Sequence, residues 1–186
     1  IGFVEANKLN PDVILVLNND IIFEDKNFIE NLEIVYKENK DVSILCPDII
    51  NINGMHQNPL KKESMSIKKA YKNYFYNRII CFLLCVPLIR NLIYKFEKRR
   101  SDEWMNNYYN ENQDVHYNDF VPFGAFVIYM NDWLNNENIA FPSDTFMYME
   151  EDYMSLYIKK NNYKISYEPK LKVRHLEGRS VEASND

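Results

Sequence analysis

The chain has 186 residues, a formal net charge of −5 and a sequence pI near 5.3, with 46% hydrophobic and 26% charged residues. That is enough apolar material for one buried core and argues against disorder throughout. The acidic balance argues against a general nucleic-acid binder, and Cys46, Cys81 and Cys85 match neither a disulfide framework nor a zinc-ligand spacing, so a reducing, cytoplasmic setting is expected.

The opening residues read like the interior of a domain, so a fragment, a truncated domain, is expected. Pro11 and Asp12 introduce Val13 to Asn18, VILVLN, a continuous apolar run of the kind found in buried parallel strands. Asp25 can cap a helix over 26–39, where Phe28, Leu32, Val35 and Tyr36 recur at helical spacing. Val42 to Cys46 is a short strand, expected to end at Pro47. Strand, helix, strand in this order is an α/β unit. A loop follows over 49–66, with Asn53-Gly54 as a turn.

Residues 61–100 carry eleven Lys and Arg against two acids, Glu63 and Glu97, while the remainder of the chain has eleven bases and twenty-five acids. A basic block inside an acidic protein suggests a separate task. Ile67 to Arg100 is aromatic, apolar and basic, broken at Pro87, and its longest apolar run, Ile79 to Ile89, falls short of the ~20 residues a membrane span needs. The pattern suits an interfacial helix beside anionic lipid, a peripheral attachment; equally, it suits a helix covering the domain with Lys and Arg in water. Ser101 to Asn118 is polar and Asn-rich and is expected to be flexible.

Beyond it, Phe123 to Met130 reads as a strand in which Gly124 allows close backbone approach. Asn131 can cap a short helix through Leu134. Met149 to Lys160 is a helix, acidic at its start and basic at its end as the macrodipole favours. Lys164 to Tyr167 and Leu171 to His175 are two strands around Pro169. The expected organisation is a central α/β part over 1–60, a basic helical insertion with a polar loop over 61–118, and a closing part over 119–186.

Three clusters can carry chemistry. Asn18-Asn19-Asp20 ends the first strand, where open α/β sheets bind ligands and where a carboxylate can hold an oxygen-loving cation; these residues also make ordinary turns. Glu150-Glu151-Asp152 can supply a general base, or simply a favourable helix start. His175, after the last strand, can ligate a metal or meet a phosphate, or serve only the core. His56 and His116, in polar loops, are given no role, and Trp104 and Trp133 are read as packing anchors.

The order of these pieces resembles family 2 glycosyltransferases of the GT-A fold, in their rhamnosyltransferase-like branch. Ile1-Gly2-Phe3 with Ala6-Asn7 looks like the family's glycine-aromatic and Ala-Asn segment, and Pro11 to Asp20, PDVILVLNND, like the strand ending in its DxD motif. Cys46-Pro47-Asp48, Asn53-Gly54 and Gln57 resemble the strand and turn that follow. Val121 to Val127, VPFGAFV, resembles the acceptor-side strand, and Phe146 to Leu156, FMYMEEDYMSL, the Phe-Leu-Tyr-x-Glu-Asp helix start. Tyr163 to Ile165 and Val173 to Ser180, VRHLEGRS, resemble the final strands and the His-x-x-Gly-x-Ser tail.

The resemblance implies a GT-A-like (Rossmann-like) mixed sheet flanked by helices, without the N-terminal nucleoside-binding part. It implies metal-assisted, inverting transfer from a nucleotide-sugar donor to a glycan or lipid-linked acceptor, as in cell-envelope polysaccharide biosynthesis. Asn18, Asn19 and Asp20 would meet the donor, with Asn18 standing where the family has its first Asp. Asp20 and His175 would hold Mg²⁺ or Mn²⁺, Glu151 would be the catalytic base with Glu150 and Asp152 beside it, and Gly124 and Ala125 would lie near the acceptor. Two other readings compete: a non-catalytic remnant that binds membrane or a partner, and a phospho-receiver-like domain, which requires a five-strand parallel sheet.

Overall fold

Apolar residues in the central strands point alternately to two sides, and each side has its own covering helices. The structure is a computed structural model that describes residues 2–64, 66–109, 116–117, 119–141 and 149–176. In chain order the elements are α1 (Gly2–Asn7), β1 (Val13–Leu17), β2 (Ile21–Ile22), α2 (Phe28–Glu38), β3 (Ile44–Asn51), α3 (Ile67–Leu84), α4 (Pro87–Tyr109), β4 (His116–Tyr117), β5 (Phe126–Met130), α5 (Asn131–Asn136), α6 (Glu150–Lys160) and β6 (Ile165–His175). Contacts divide the chain into two units, one made of Ile1–Ser64 with Gln113–Asp186 and the other of Met65–Asn112. Described residues from early and late in the sequence therefore share one unit.

The first unit is α/β, a six-stranded mixed sheet flanked by helices, in the order β1-β5-β3-β6-β2 with β4 also on β6. β3 and β6 are parallel, while β5 runs antiparallel between β1 and β3. β1, β3 and β6 thus point the same way. The expected parallel neighbour of VILVLN is not found, because the antiparallel β5 is inserted there. That insertion also excludes the five-strand parallel order of a receiver domain.

Every residue of β5 is buried, as a strand covered on both faces requires. Its Val127 and Tyr129 join Ile14, Ile44, Trp133, Met154 and Ile158 on one face. Its Phe126, Ile128 and Met130 join Phe28, Leu32, Val35 and Leu45 on the other. The period of two in the strand and the Phe28/Leu32/Val35 spacing in α2 create these two layers. Burying each large side chain contributes about 1.5–3 kcal/mol. Trp133 anchors the first face, fully buried, with its indole N–H donating to the Ile139 carbonyl at 2.8 Å.

Several expected boundaries move. β3 continues through Pro47, and β6 is one strand through Pro169 rather than two. Both prolines sit at one irregularity: Pro47 pairs with Glu168, yet Asp48 pairs with Lys172, so three residues of β6 bulge out where the prolines cannot donate, and the ladder resumes beyond them. Asp25 acts one step early: its carboxylate accepts from the Asn27 N–H at 2.8 Å, and Asn27 is the residue that precedes the helix. Asn131 is the first residue of α5 rather than its cap. The Asn-rich stretch is helical as far as Tyr109, because α4 extends past Ser101; residues 110–115 and 118 lie outside the described residues.

In the second unit, α3 and α4 pack against each other on either side of a turn at Cys85 and Val86. Ser66 caps α3 by accepting the Lys69 N–H at 3.2 Å. Tyr76 of α3 donates its hydroxyl to Glu97 of α4, and the Arg100 guanidinium lies 4.8 Å over the Tyr76 ring. Among the described residues, no helix is long and apolar enough to cross a membrane.

Candidate functional site

The carboxyl end of β1 and the start of β5 are brought together by antiparallel pairing. The Asn18 N–H donates to the Ala125 carbonyl at 2.9 Å, one residue beyond the Leu17–Phe126 pair. The parallel strand β6 ends on the same side of the sheet, at His175. This edge is where open α/β sheets offer ligand sites.

A hollow of about 320 Å³ opens there, lined by Asn18, Phe123, Gly124, Ala125, Phe141, Glu150 and Glu151. Asn18 and Glu151, remote in the chain, share it. Glu151 lies directly against Gly124: a methyl group at residue 124 would stand 3.0 Å from Glu151 Oε1 and 3.4 Å from its Cγ. The glycine is what leaves space for the carboxylate.

The acidic triplet begins α6, where the helix N-terminus favours negative charge. Met149, just before it, is left-handed at φ 69°, a conformation costly for a side chain with a Cβ, and it turns the chain sharply into the helix. The three acids then diverge. Glu150 and Glu151 line the hollow, whereas Asp152 is buried and accepts a hydrogen bond from Lys61 Nζ. Lys61 is itself held by a backbone bridge to Val121, so the ion pair ties α6 to the segment leading into β5. The other Asp152 oxygen, Oδ1, is buried without a hydrogen-bond partner.

Asp20 and His175 form a second group beside the hollow. β2 pairs Ile21 with His175, and the Leu176 N–H donates to the Asp20 carbonyl at 3.0 Å, which brings the two side chains together. His175 is buried, with Nε2 3.3 Å from Asp20 Oδ1 and Nδ1 2.9 Å from Gln57 Oε1. An amide oxygen can only accept, so Gln57 takes the Nδ1 proton in a hydrogen bond and orients the ring with Nε2 toward Asp20. Asp20 Oδ1 is buried and receives no hydrogen bond. A carboxylate oxygen and an imidazole nitrogen 3.3 Å apart are donors of the type that hold a divalent cation, and the same geometry suits a direct ion pair when the ring is protonated. Among the described residues no group of three or more His, Cys, Asp or Glu converges, so these two would leave most of an octahedral shell to a ligand and water.

Phe123 joins the two parts. It lines the hollow, and its ring meets that of His175 edge-on at 5.7 Å. Buried Asn58 fixes it, accepting the Phe123 N–H at 3.1 Å while donating to the Pro47 carbonyl at 2.8 Å. Asn19 is exposed in the turn and lines no part of the hollow. His56 pairs with buried Asp48 at 2.7 Å, under the Asn51 turn. Residues 142–148, including Phe146, and 177–180 of the tail motif lie outside the described residues.

Sequence reasoning missed Lys61 as the partner of Asp152 and Gln57 as the partner of His175, because each pair is closed only by folding. It also missed Phe141. A separate groove of about 370 Å³ between β1 and α2, lined by Val13, Leu15, Ile29 and Leu32, holds none of the candidate site residues. No family model matches the chain, and no curated protein matches it either.

Proposed function

We propose that the chain carries the transfer site of a family 2, GT-A-type glycosyltransferase, moving a sugar with inversion from a nucleotide-sugar donor to a glycan or lipid-linked acceptor. One observation carries this reading. Glu151 and the Asn18 strand tip face one hollow, and the Asp20–His175 pair adjoins it through Phe123.

In this reading Glu151 accepts the proton of the acceptor hydroxyl as that oxygen bonds to the anomeric carbon and the bond to the diphosphate breaks on the opposite face. Gly124 and Ala125 leave the acceptor room beside the carboxylate. Asn18 offers its amide group to the donor, and Asn19, outside the hollow, takes no part. Asp20 and His175 would hold Mg²⁺ or Mn²⁺, which would neutralise charge on the departing diphosphate. Asp152, paired with Lys61, positions α6 rather than taking the proton.

The test is a panel of nucleotide-sugars with Mn²⁺, followed by calorimetry and by product analysis. Glu151→Gln should lower transfer at least about 100-fold while leaving nucleotide binding in place. Asp20→Ala should abolish the Mn²⁺-dependent part of binding. Unchanged transfer in Glu151→Gln would refute the base, and unchanged binding in Asp20→Ala would refute the metal role. The neutral Asn18 and the two-residue donor set favour one other reading, a binding module without catalysis. Metal-dependent binding with no product from any donor would select it.

A further inference from the structure

The two-helix unit has an apolar face that its own packing does not use. On α3, Tyr76, Ile80, Leu83 and Leu84 are half-buried, as are Ile89, Ile93 and Glu97 on α4. At 100° per residue the four α3 positions fall on one side of that helix, and this is the side whose Tyr76 meets α4. Tyr71, Tyr74, Phe75, Ile79 and Phe82 fall on another, within an arc of about 140°. These five are 57–72% exposed. α3 is therefore apolar on two faces, one packed and one bare. On α4, Leu92, Tyr94 and Phe96 are likewise more than half exposed.

Charge accompanies this surface. From residue 66 to 100 the unit carries nine Lys and Arg against one acid, Glu97. Arg78 lies within the aromatic arc of α3, and Lys68 and Lys72 lie at its margin by the same helical count. An isolated patch of large apolar side chains in water is costly and marks a contact surface. Bases beside aromatic rings select among contacts: cations meet anionic headgroups while tyrosine and phenylalanine rings enter the interface below them. With eighteen residues and no span-length apolar stretch among the described helices, α3 suits lying on a bilayer rather than crossing it.

We infer that the α3–α4 unit is a membrane-docking element that binds the surface of an anionic lipid bilayer through the Tyr71–Phe82 face of α3 and its neighbouring bases. The inference is independent of the sugar-transfer reading, since it uses none of the residues of that site.

The experiment uses the full chain with phosphatidylcholine vesicles, with and without added phosphatidylglycerol. The protein should sediment with the anionic vesicles only, and high salt should release it. Lys68→Gln/Lys72→Gln/Arg78→Gln should weaken partitioning about 100-fold, taking roughly 1 kcal/mol per charge. Phe75→Ser/Phe82→Ser should weaken it at least about tenfold. Both variants alter exposed positions, and unchanged far-UV circular dichroism checks that they fold. Phe82→Trp should show a blue-shifted emission increment with anionic vesicles. Absence of sedimentation at low salt, equal sedimentation with both lipids, or no spectral shift would overturn the inference. So would concentration-dependent self-association that the Phe75/Phe82 variant abolishes, which would assign the face to a second copy of the chain.

Discussion

Glu151 owes its place beside the hollow to what residue 124 lacks. Gly124 is not in a left-handed conformation, so its value is spatial: a Cβ would press on the Glu151 carboxylate at 3.0 Å. A flexible carboxylate can yield by a few tenths of an ångström, so Gly124→Ala should change stability by less than about 1 kcal/mol. Misplacing a reacting group costs far more, and transfer should fall about ten- to 100-fold. Thermal melting and turnover measured side by side test this, and an active variant would separate Gly124 from the chemistry. Gln57 acts on His175 in a comparable way. Gln57→Leu removes the acceptor for Nδ1 and should weaken Mn²⁺ binding about ten- to 100-fold, whereas Gln57→Glu should retain it. Mn²⁺ titration followed by electron paramagnetic resonance reads the difference; equal affinities would leave Gln57 a packing residue.

At the scale of elements, α6 shows how one short run serves two purposes. Its first turn presents Glu150 and Glu151 to the hollow and commits Asp152 to the interior. The Lys61 side chain is 38% exposed and that of Asp152 only 9%. Removing the base strands a carboxylate whose Oδ1 already has no partner. Lys61→Met should therefore destabilise by about 2 kcal/mol, less than for a fully buried pair because water reaches the lysine. Urea unfolding measures this, and Lys61→Met/Asp152→Asn should recover part of the loss; additive losses would mean no coupling. The elements themselves were largely legible: the VILVL run, the Phe28/Leu32/Val35 stripe and the acidic-to-basic run of α6 fall in the expected elements, and the strand expected over Phe123 to Met130 forms from Phe126 onward. Two of the misplaced ends lie at Pro47 and Pro169. Each proline alone reads as a stop, but both sit at one bulge beyond which the β3–β6 pairing resumes.

For the molecule as a whole, the face of the sheet around Trp133 ends in a cluster of phenols. Tyr157 and Tyr163 both donate to Glu137 Oε1 at 2.8 Å, and Tyr129 donates to the Ala140 carbonyl. Burial foremost, then the bond to Glu137, raises the Tyr163 pKa, and burial raises that of Tyr129. The bond to Glu137, then burial, raises Tyr157. The folded protein thus holds phenolic protons that the unfolded chain releases near pH 10. Stability from these groups is complete below about pH 10 and declines as pH rises from there toward the folded values. The urea midpoint should fall across that window, and less so in Tyr163→Phe; a flat midpoint would contradict the cluster's role.

Composition and periodicity alone determined the α/β class of the fold and the separate character of the basic segment, because these depend on which residues recur at a regular spacing and on where charge accumulates along the chain. Residue type at the element ends marked Asn18-Asn19-Asp20, Glu150-Glu151-Asp152 and His175 as places where chemistry could sit, and the family resemblance pointed to Asp20 and Glu151 among them. Tertiary structure decided which of those places meet. β5 enters antiparallel, so Gly124 reaches Asn18; Lys61 takes Asp152 away from the hollow; and Gln57 turns His175 toward Asp20. Pairings between residues far apart in the chain leave no periodic trace, since the free energy that selects them comes from packing and desolvation in the closed fold.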